Sequence, residues 1–395
     1  MFFQAYGFIA VSLFVFQRRL KVISRGEIIM KMDIRVERTQ APKEKPGKGA
    51  DLPFGHVFTD HMFIMDYDAE KGWHDARIVP FGPIELHPGS TILHYGAGAF
   101  EGMKAYRKED GSCQLFRPEQ NAKRMERSID RLCLPHLDAD TILDLIERFV
   151  AFEQDWVPSD FGTSLYIRPY EFGCDEPIGL HGIQKAKFMI ITCPVGNYYK
   201  EGLKPVKIAI EEHDVRAVRG GTGDCKVGGN YAASNRAEAV AEENGFTQVL
   251  WLDGVNQKYI EEVGSMNVMF KVNGEIITPM LTGSVLPGIT RKSSIEYLRS
   301  KGYTVTERLI TAEEIVEAVK NGTLEEAWGT GTAAVVSPIG ILHYEGVDYH
   351  INNNEIGPVC QELYSGITGI QWGRTEDPFG WTVPVKSKFM NTWMR

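Results

Sequence analysis

Residues 219–235 read RGGTGDCKVGGNYAASN, five glycines set around one lysine, Lys226, with an Asn-Tyr pair directly behind. A solvated surface lysine does not need this. Glycine permits positive φ and close backbone approach, so the pattern points to a lysine held in a crowded place. The stretch fails the phosphate-loop pattern, because Lys226 follows Cys225 and precedes Val227 instead of lying between Gly and Ser or Thr. A lysine desolvated beside another cation loses its charge readily and becomes a nucleophile toward carbonyls. That chemistry calls for a carbonyl cofactor, an anion site to hold it and a carboxylate to keep its ring nitrogen protonated.

Two further stretches bear on that requirement. GTGTAA at 329–334 matches the dinucleotide fingerprint in form, but VVSPIG follows it where a helix should open. It is read instead as a loop able to offer backbone N–H groups to an anion. LPGITRKSSIEYL at 286–298 places a Pro-Gly turn before a helix predicted to begin near Thr290, whose free N–H groups and positive dipole end form an anion site. Glu262, in IEEVGSMN after a predicted strand, is the candidate carboxylate, and its neighbour Glu261 is read as a solvated charge.

Composition narrows the class. The chain has 395 residues, 43% of them apolar, and a net charge of −9 without a basic tract, which favours small-molecule substrates over nucleic acid. Six cysteines never fall at CxxC spacing and the histidines show no ligand spacing, so neither a disulfide framework nor a metal site is expected, and the setting is read as cytoplasmic. The apolar run MFFQAYGFIAVSLFVF precedes QRRLK and has no charge ahead of it. It fits neither a secretory signal nor a spanning helix and is read as an extension foreign to the fold, with a weak anchor as the alternative. If it were inserted, Arg18, Arg19 and Lys21 would keep the remainder on the cytoplasmic side.

The hydrophobic patterning predicts an α/β fold with mixed sheets in two domains and a cleft between them. Residues 1–31 are the extension, 32–193 a small N-terminal domain, 194–205 a linker, 206–385 a large C-terminal domain and 386–395 a tail. Strands are expected at HVFTDHMFIMDYD, ARIVPFGPIEL, STILHYG, SLYIRPYEF and AKFMIITCPV, and a long helix in DADTILDLIERFVAFEQDWV. In the second half NVMFKVNGEIITP reads as a hairpin turning at Asn-Gly.

The ordered set PFGHVFTDHMF, LHPGSTILHYGAGAFEGMKAYR, FRPEQNAKRMERS, GTSLYIRPYEFG, KVGGNY, EEVGSMN, VLPGITR and WGTGTAAVVSP, over about 54–384, resembles the branched-chain amino-acid aminotransferases, pyridoxal-phosphate enzymes of fold type IV. The resemblance implies a D-amino-acid-aminotransferase-like fold with pyridoxal 5'-phosphate in the interdomain cleft. Position by position, Lys226 resembles the lysine that bonds the cofactor, Tyr231 the tyrosine at its phenolic oxygen, and Glu262 the ring-nitrogen partner. Arg124 resembles the phosphate-binding arginine, with Ile289, Thr290 and Thr332 completing the cup and Ser265 beside it. Tyr166 and Arg168 resemble the pair that handles substrate carboxylates, Arg168 taking the side-chain carboxylate of glutamate. Phe54, Tyr95 and Phe100 resemble aromatic walls, some of which this family takes from a neighbouring subunit, implying a homodimer. The turn Thr332, Ala333, Ala334 would receive the α-carboxylate.

Relatives from animal mitochondria carry a redox CxxC after this turn; here those positions are Ala334 and Ser337. The implied activity is reversible ping-pong transfer of the amino group of leucine, isoleucine or valine to 2-oxoglutarate, without nucleic-acid or stable membrane partners. The alternatives are another fold type IV enzyme, such as a D-amino-acid aminotransferase or aminodeoxychorismate lyase, or a non-catalytic cofactor-binding protein.

Overall fold

The structure is a computed structural model, and it describes residues 32–196 and 203–386. The expected N-terminal extension at 1–31, half of the linker at 194–205 and most of the tail at 386–395 lie outside the described residues.

The described residues, 32–196 and 203–386, form one compact unit. Its strands in chain order are β1 Arg35–Val36, β2 His61–Asp68, β3 Gly72–Pro80, β4 Gly98–Phe100, β5 Met103–Arg107, β6 Cys113–Phe116, β7 Ser164–Gly173, β8 Lys185–Val195, β9 Val206–Ile210, β10 Gln248–Leu252, β11 Ile260–Val263, β12 Asn267–Val272, β13 Glu275–Pro279, β14 Val305–Arg308, β15 Leu324–Gly331, β16 Val335–Tyr344, β17 Val347–His350 and β18 Thr382–Pro384. The helices are α1 Thr91–Tyr95, α2 Pro118–Arg131, α3 Ala139–Phe152, α4 Gly228–Ala232, α5 Asn235–Glu243, α6 Ile289–Ser300, α7 Ala312–Lys320 and α8 Pro358–Gln371.

Two sheets result. The first runs β1-β3-β2-β8-β7-β5-β6-β18 with β4 on β7; the second runs β11-β10-β9-β16-β15-β12-β13-β14 with β17 on β16. Both are mixed. Parallel pairs occur at β1–β3, β9–β10, β9–β16 and β13–β14, and the other pairs are antiparallel. The last strand, β18, returns to the first sheet by pairing with β6.

Each sheet is covered because its apolar face has to be buried. On the first, α2 and α3 place Met125, Ile129, Ile142, Leu145 and Phe149 over Phe63, Met65, Ile78, Phe188 and Ile190, all fully buried. Asp138 starts α3 by accepting a hydrogen bond from Thr141 N at 2.8 Å. On the second, α7 packs Ile315 with Val268, Phe270 and Leu342, and Thr311 caps it by accepting from Glu314 N. A third cluster joins the two: Tyr106 and Phe116 of the first sheet meet Met269 and Trp328 of the second, with Leu298 of α6 and Leu363 of α8. Trp372 adds a polar tie, donating its indole N–H to Thr163 O at 3.0 Å.

Two sequence readings are corrected here. STILHYG is not a strand: it forms the short helix α1, closed by Gly96 at φ 61°. Its β-branched residues suggested a strand, but a helix stop five residues on decides the backbone. Glu261 is not a solvated charge: it is 5% exposed, and its carboxylate accepts from the Ser284 hydroxyl. Strand β11 is buried along its whole length, so both glutamates of the pair lie inside. The Asn-Gly hairpin between β12 and β13 forms as expected, with Asn273 at φ 49° and Gly274 at φ 79°.

Candidate active site

The lysine loop is fixed from both sides. Cys225 and Val227 are buried in the core of the first sheet, and in extended backbone the residue between them points the opposite way. Lys226 N donates to Ser128 Oγ of α2 at 3.0 Å, while Lys226 O accepts from Phe100 N of β4 at 3.0 Å. Asn230 closes the loop by donating to Thr222 O and Cys225 O. Gly223 is required by contact: a Cβ there would lie 2.4 Å from Ser284 O. Gly228 and Gly229 meet nothing within 4 Å and open the helix α4 instead.

Lys226 Nζ projects into a cavity of about 540 Å³ between the sheets. Its ammonium donates to Tyr231 Oη and stands 4.8 Å from the Phe100 ring centroid. Burial first, then the Arg124 cation, lowers the lysine to about 8, while burial pushes the Tyr231 phenol up to about 12.

Along one wall stands Glu262 from β11, 3% exposed. Asn267 Nδ2 and Leu286 N donate to its Oε1 at 2.9 and 3.2 Å, and Arg216 Nε lies 2.7 Å from Oε2. The Arg216 N–H is not aligned on that oxygen, so this contact is an ion pair and not a directed hydrogen bond. Burial raises Glu262 to about 7 against the pull of Arg216.

At another wall Arg124, 7% exposed, pairs with Glu101 through Nε at 2.6 Å and Nη2 at 2.9 Å, and donates Nη1 to Pro287 O. Burial alone would raise the Glu101 carboxyl, but Arg124 outweighs it and holds it below the usual range. The first turn of α6, Ile289 and Thr290, opens into the same cavity, and its cap residue Gly288 leaves those N–H groups free of any side-chain cap. Thr332, Ala333 and Ser265 line it as well.

The remaining wall is aromatic and cationic. Arg168 of β7 donates to Tyr166 Oη at 2.8 Å and stacks its guanidinium 4.6 Å over Phe100. Among the described residues it has no carboxylate partner. Phe54 meets Tyr166 edge-on at 4.8 Å between centroids. Gly102 makes room for this arrangement, since a Cβ there would lie 2.1 Å from Tyr166 Oη.

The cavity thus gathers Phe54, Phe100, Arg124, Tyr166, Arg168, Lys226, Tyr231, Glu262, Ser265, Ile289, Thr290, Thr332 and Ala333. Tyr95 does not reach it. It ends α1 at 42% exposure. Ala334 is buried behind the turn. The sequence reading passed over Glu101, Lys104, Arg216 and Asn267. A signal existed for Glu101 and Lys104, two charges inside the apolar strand run AFEGMKAY; none marked Arg216 or Asn267.

A buried lysine of lowered basicity, a carboxylate and uncapped helix N–H groups around one cavity suit group transfer on amines or carbonyls. The chain belongs to the class IV amino-transferases, whose family profile matches residues 98–341. Within that class it belongs with the branched-chain-amino-acid aminotransferases. It is 54% identical over 355 residues to branched-chain-amino-acid aminotransferase 2 of Bacillus subtilis (strain 168), covering 90% of this chain and 98% of that one. A probable branched-chain-amino-acid aminotransferase of Staphylococcus aureus (strain N315) is 52% identical, with 90% and 99% covered. A similar fold is seen in the branched-chain aminotransferase of the thermophilic archaeon Thermoproteus uzoniensis crystallised with norvaline, at a TM-score of 0.68 and 26% identity over 82% of this chain and 100% of that one.

Among the described residues no helix is long and apolar enough to cross a membrane, and no group of His, Cys, Asp and Glu is arranged to hold a metal.

Proposed function

We propose that this aminotransferase moves the amino group of L-leucine, L-isoleucine or L-valine reversibly to 2-oxoglutarate, with pyridoxal 5'-phosphate as its cofactor. The observation that carries the reading is the convergence of Lys226, Tyr231, Glu262 and Arg124 on one cavity whose far wall holds Arg168 over aromatic rings.

The donor set supports that cofactor. Arg124 with the N–H groups of Ile289 and Thr290 and the hydroxyl of Thr332 would hold its phosphate, Tyr231 its phenolic oxygen, Glu262 its ring nitrogen and Lys226 its carbonyl carbon. When bound, it supplies a carbonyl that takes up an amine and a ring that accepts the electron pair left at the substrate Cα.

The chain's own groups do the proton work. With its amine lowered to about 8, Lys226 Nζ can take the Cα proton and return it nearby. Burial raises Glu262 to about 7, and Arg216 pulls it back toward the carboxylate form that would accept a bound ring N–H. Tyr231 Oη, hydrogen-bonded to Lys226 Nζ, orients that amine.

One cavity has to hold leucine's apolar side chain and glutamate's carboxylate in turn, so ping-pong kinetics follow. Phe54, Phe100 and Tyr166 offer the apolar surface, and Arg168 the recessed charge. The exposed Tyr95 and Leu93 of α1 support a homodimer in which this helix meets a second copy. Six free cysteines and the acidic charge support a cytoplasmic setting. An amino-donor panel against 2-oxoglutarate, with D-alanine and L-aspartate included, tests the reading: turnover confined to branched L-amino acids and glutamate is expected, and turnover confined to D-amino acids would overturn it.

A further inference from the structure

Lys104 of β5 is 6% exposed, and among the described residues no carboxylate lies within ion-pair distance of it. Its ammonium donates to Ala333 O at 2.8 Å. A buried cation without a counter-ion is unfavourable, and holding one carbonyl does not require a charge. Burial accordingly lowers this lysine to about 8. Glu101, the nearest buried acid in sequence, is already engaged by Arg124 and Asn121.

The placement of the carbonyl matters. Lys104 is the cross-strand partner of Tyr166 and shares its face of the first sheet, the face that lines the substrate cavity. Ala333 lies in the turn joining β15 to β16 and also lines that cavity. Neither the Ala333 nor the Ala334 N–H donates to any described residue. The next residue, Val335, is 4% exposed and sits at φ 63°, a region a β-branched side chain avoids. Such a turn persists only where its surroundings hold it, and Lys104 is a holding contact.

We propose that Lys104 is a positioning residue for the substrate's α-carboxylate: it pins Ala333 O and so fixes the turn at 332–334 that borders the cavity, and its charge is balanced when the carboxylate docks on that turn. The proposal rests on the reading of residues 332–334 as the α-carboxylate turn. It explains why a buried lysine without a partner acid stands behind a neutral turn. A preorganised donor backed by a fixed charge binds an anion more strongly than the donor alone. Because leucine, glutamate and their 2-oxo acids share that carboxylate, Lys104 acts on all of them alike, unlike Arg168.

The test is calorimetric titration of the cofactor-loaded enzyme with two probes, 4-methylpentanoate, which has the carboxylate but no amine, and 3-methylbutylamine, which has the amine but no carboxylate. Lys104→Met should weaken 4-methylpentanoate about 10- to 100-fold while leaving 3-methylbutylamine unchanged, and Lys104→Arg should restore most of the loss. Steady-state KM should rise by similar factors for leucine and glutamate, with kcat less affected. Should Lys104→Met not fold, Lys104→Gln is read by the same titrations. Unchanged carboxylate binding in the variant, or equal losses for both probes, overturns the proposal and leaves the activity standing. Failure of the wild-type enzyme to bind 4-methylpentanoate overturns the underlying functional reading instead.

Discussion

Arg216 Nε lies 2.7 Å from Glu262 Oε2 with both side chains buried, and Arg216 is itself tied to Gly223 O of the lysine loop at 3.1 Å. The loop that presents Lys226 and the carboxylate on the opposite wall are therefore held by one guanidinium. Arg216→Met should leave Glu262 buried without its cation and favour its protonated form. Cofactor affinity, measured by equilibrium dialysis, is expected to fall about 10- to 100-fold, with Arg216→Lys intermediate. Wild-type affinity in the methionine variant would detach Arg216 from the site.

Lys226 should titrate early. Burial and Arg124 disfavour its ammonium, so the free amine appears as pH rises through about 8, well below an ordinary lysine. In cofactor-free protein, amine acylation followed by peptide mass mapping should show Lys226 labelling with a midpoint near that pH, resolved from Lys104 by its peptide. A midpoint at the ordinary lysine value would contradict the described environment. Lys226→Ala should keep the melting temperature within a few degrees and abolish turnover.

Arg168 makes its hydrogen bond to Tyr166 and stacks on Phe100, leaving it available to a substrate carboxylate. Arg168→Ala is expected to raise KM for glutamate about 10- to 100-fold and for leucine only slightly, since one loses a charge-assisted bond and the other a stacked surface. Equal increases in steady-state KM would sink this assignment.

Gly102→Ala tests the aromatic wall. Its Cβ would overlap Tyr166 Oη at 2.1 Å, and overpacking of this kind destabilises by about 1–3 kcal/mol. The tyrosine can relieve the overlap by moving, which breaks its bond to Arg168. We expect a lower melting temperature together with a raised KM for glutamate. A variant with wild-type glutamate kinetics would show that Tyr166 does not depend on Gly102.

The local part of this architecture was legible in the sequence. Helix α3 follows from a capping aspartate and an apolar face, and the hairpin at Asn273–Gly274 from its turn residues, because neighbouring residues fix both. The helix α1 was misread because five residues of β-branched and aromatic character carry no period long enough to separate helix from strand.

The candidate chemistry was also local to motifs: Lys226, Tyr231, Glu262, Arg124 and Arg168 each stand in a distinctive stretch of sequence. What only the tertiary structure decided is who holds them. Glu101 on Arg124, Arg216 and Asn267 on Glu262, and Lys104 on Ala333 are contacts between residues 23, 46, 5 and 229 positions apart. A side chain's type records what it can do chemically. Its burial and partners, which set its charge, exist only once two sheets have closed around a common cavity and removed the water between them.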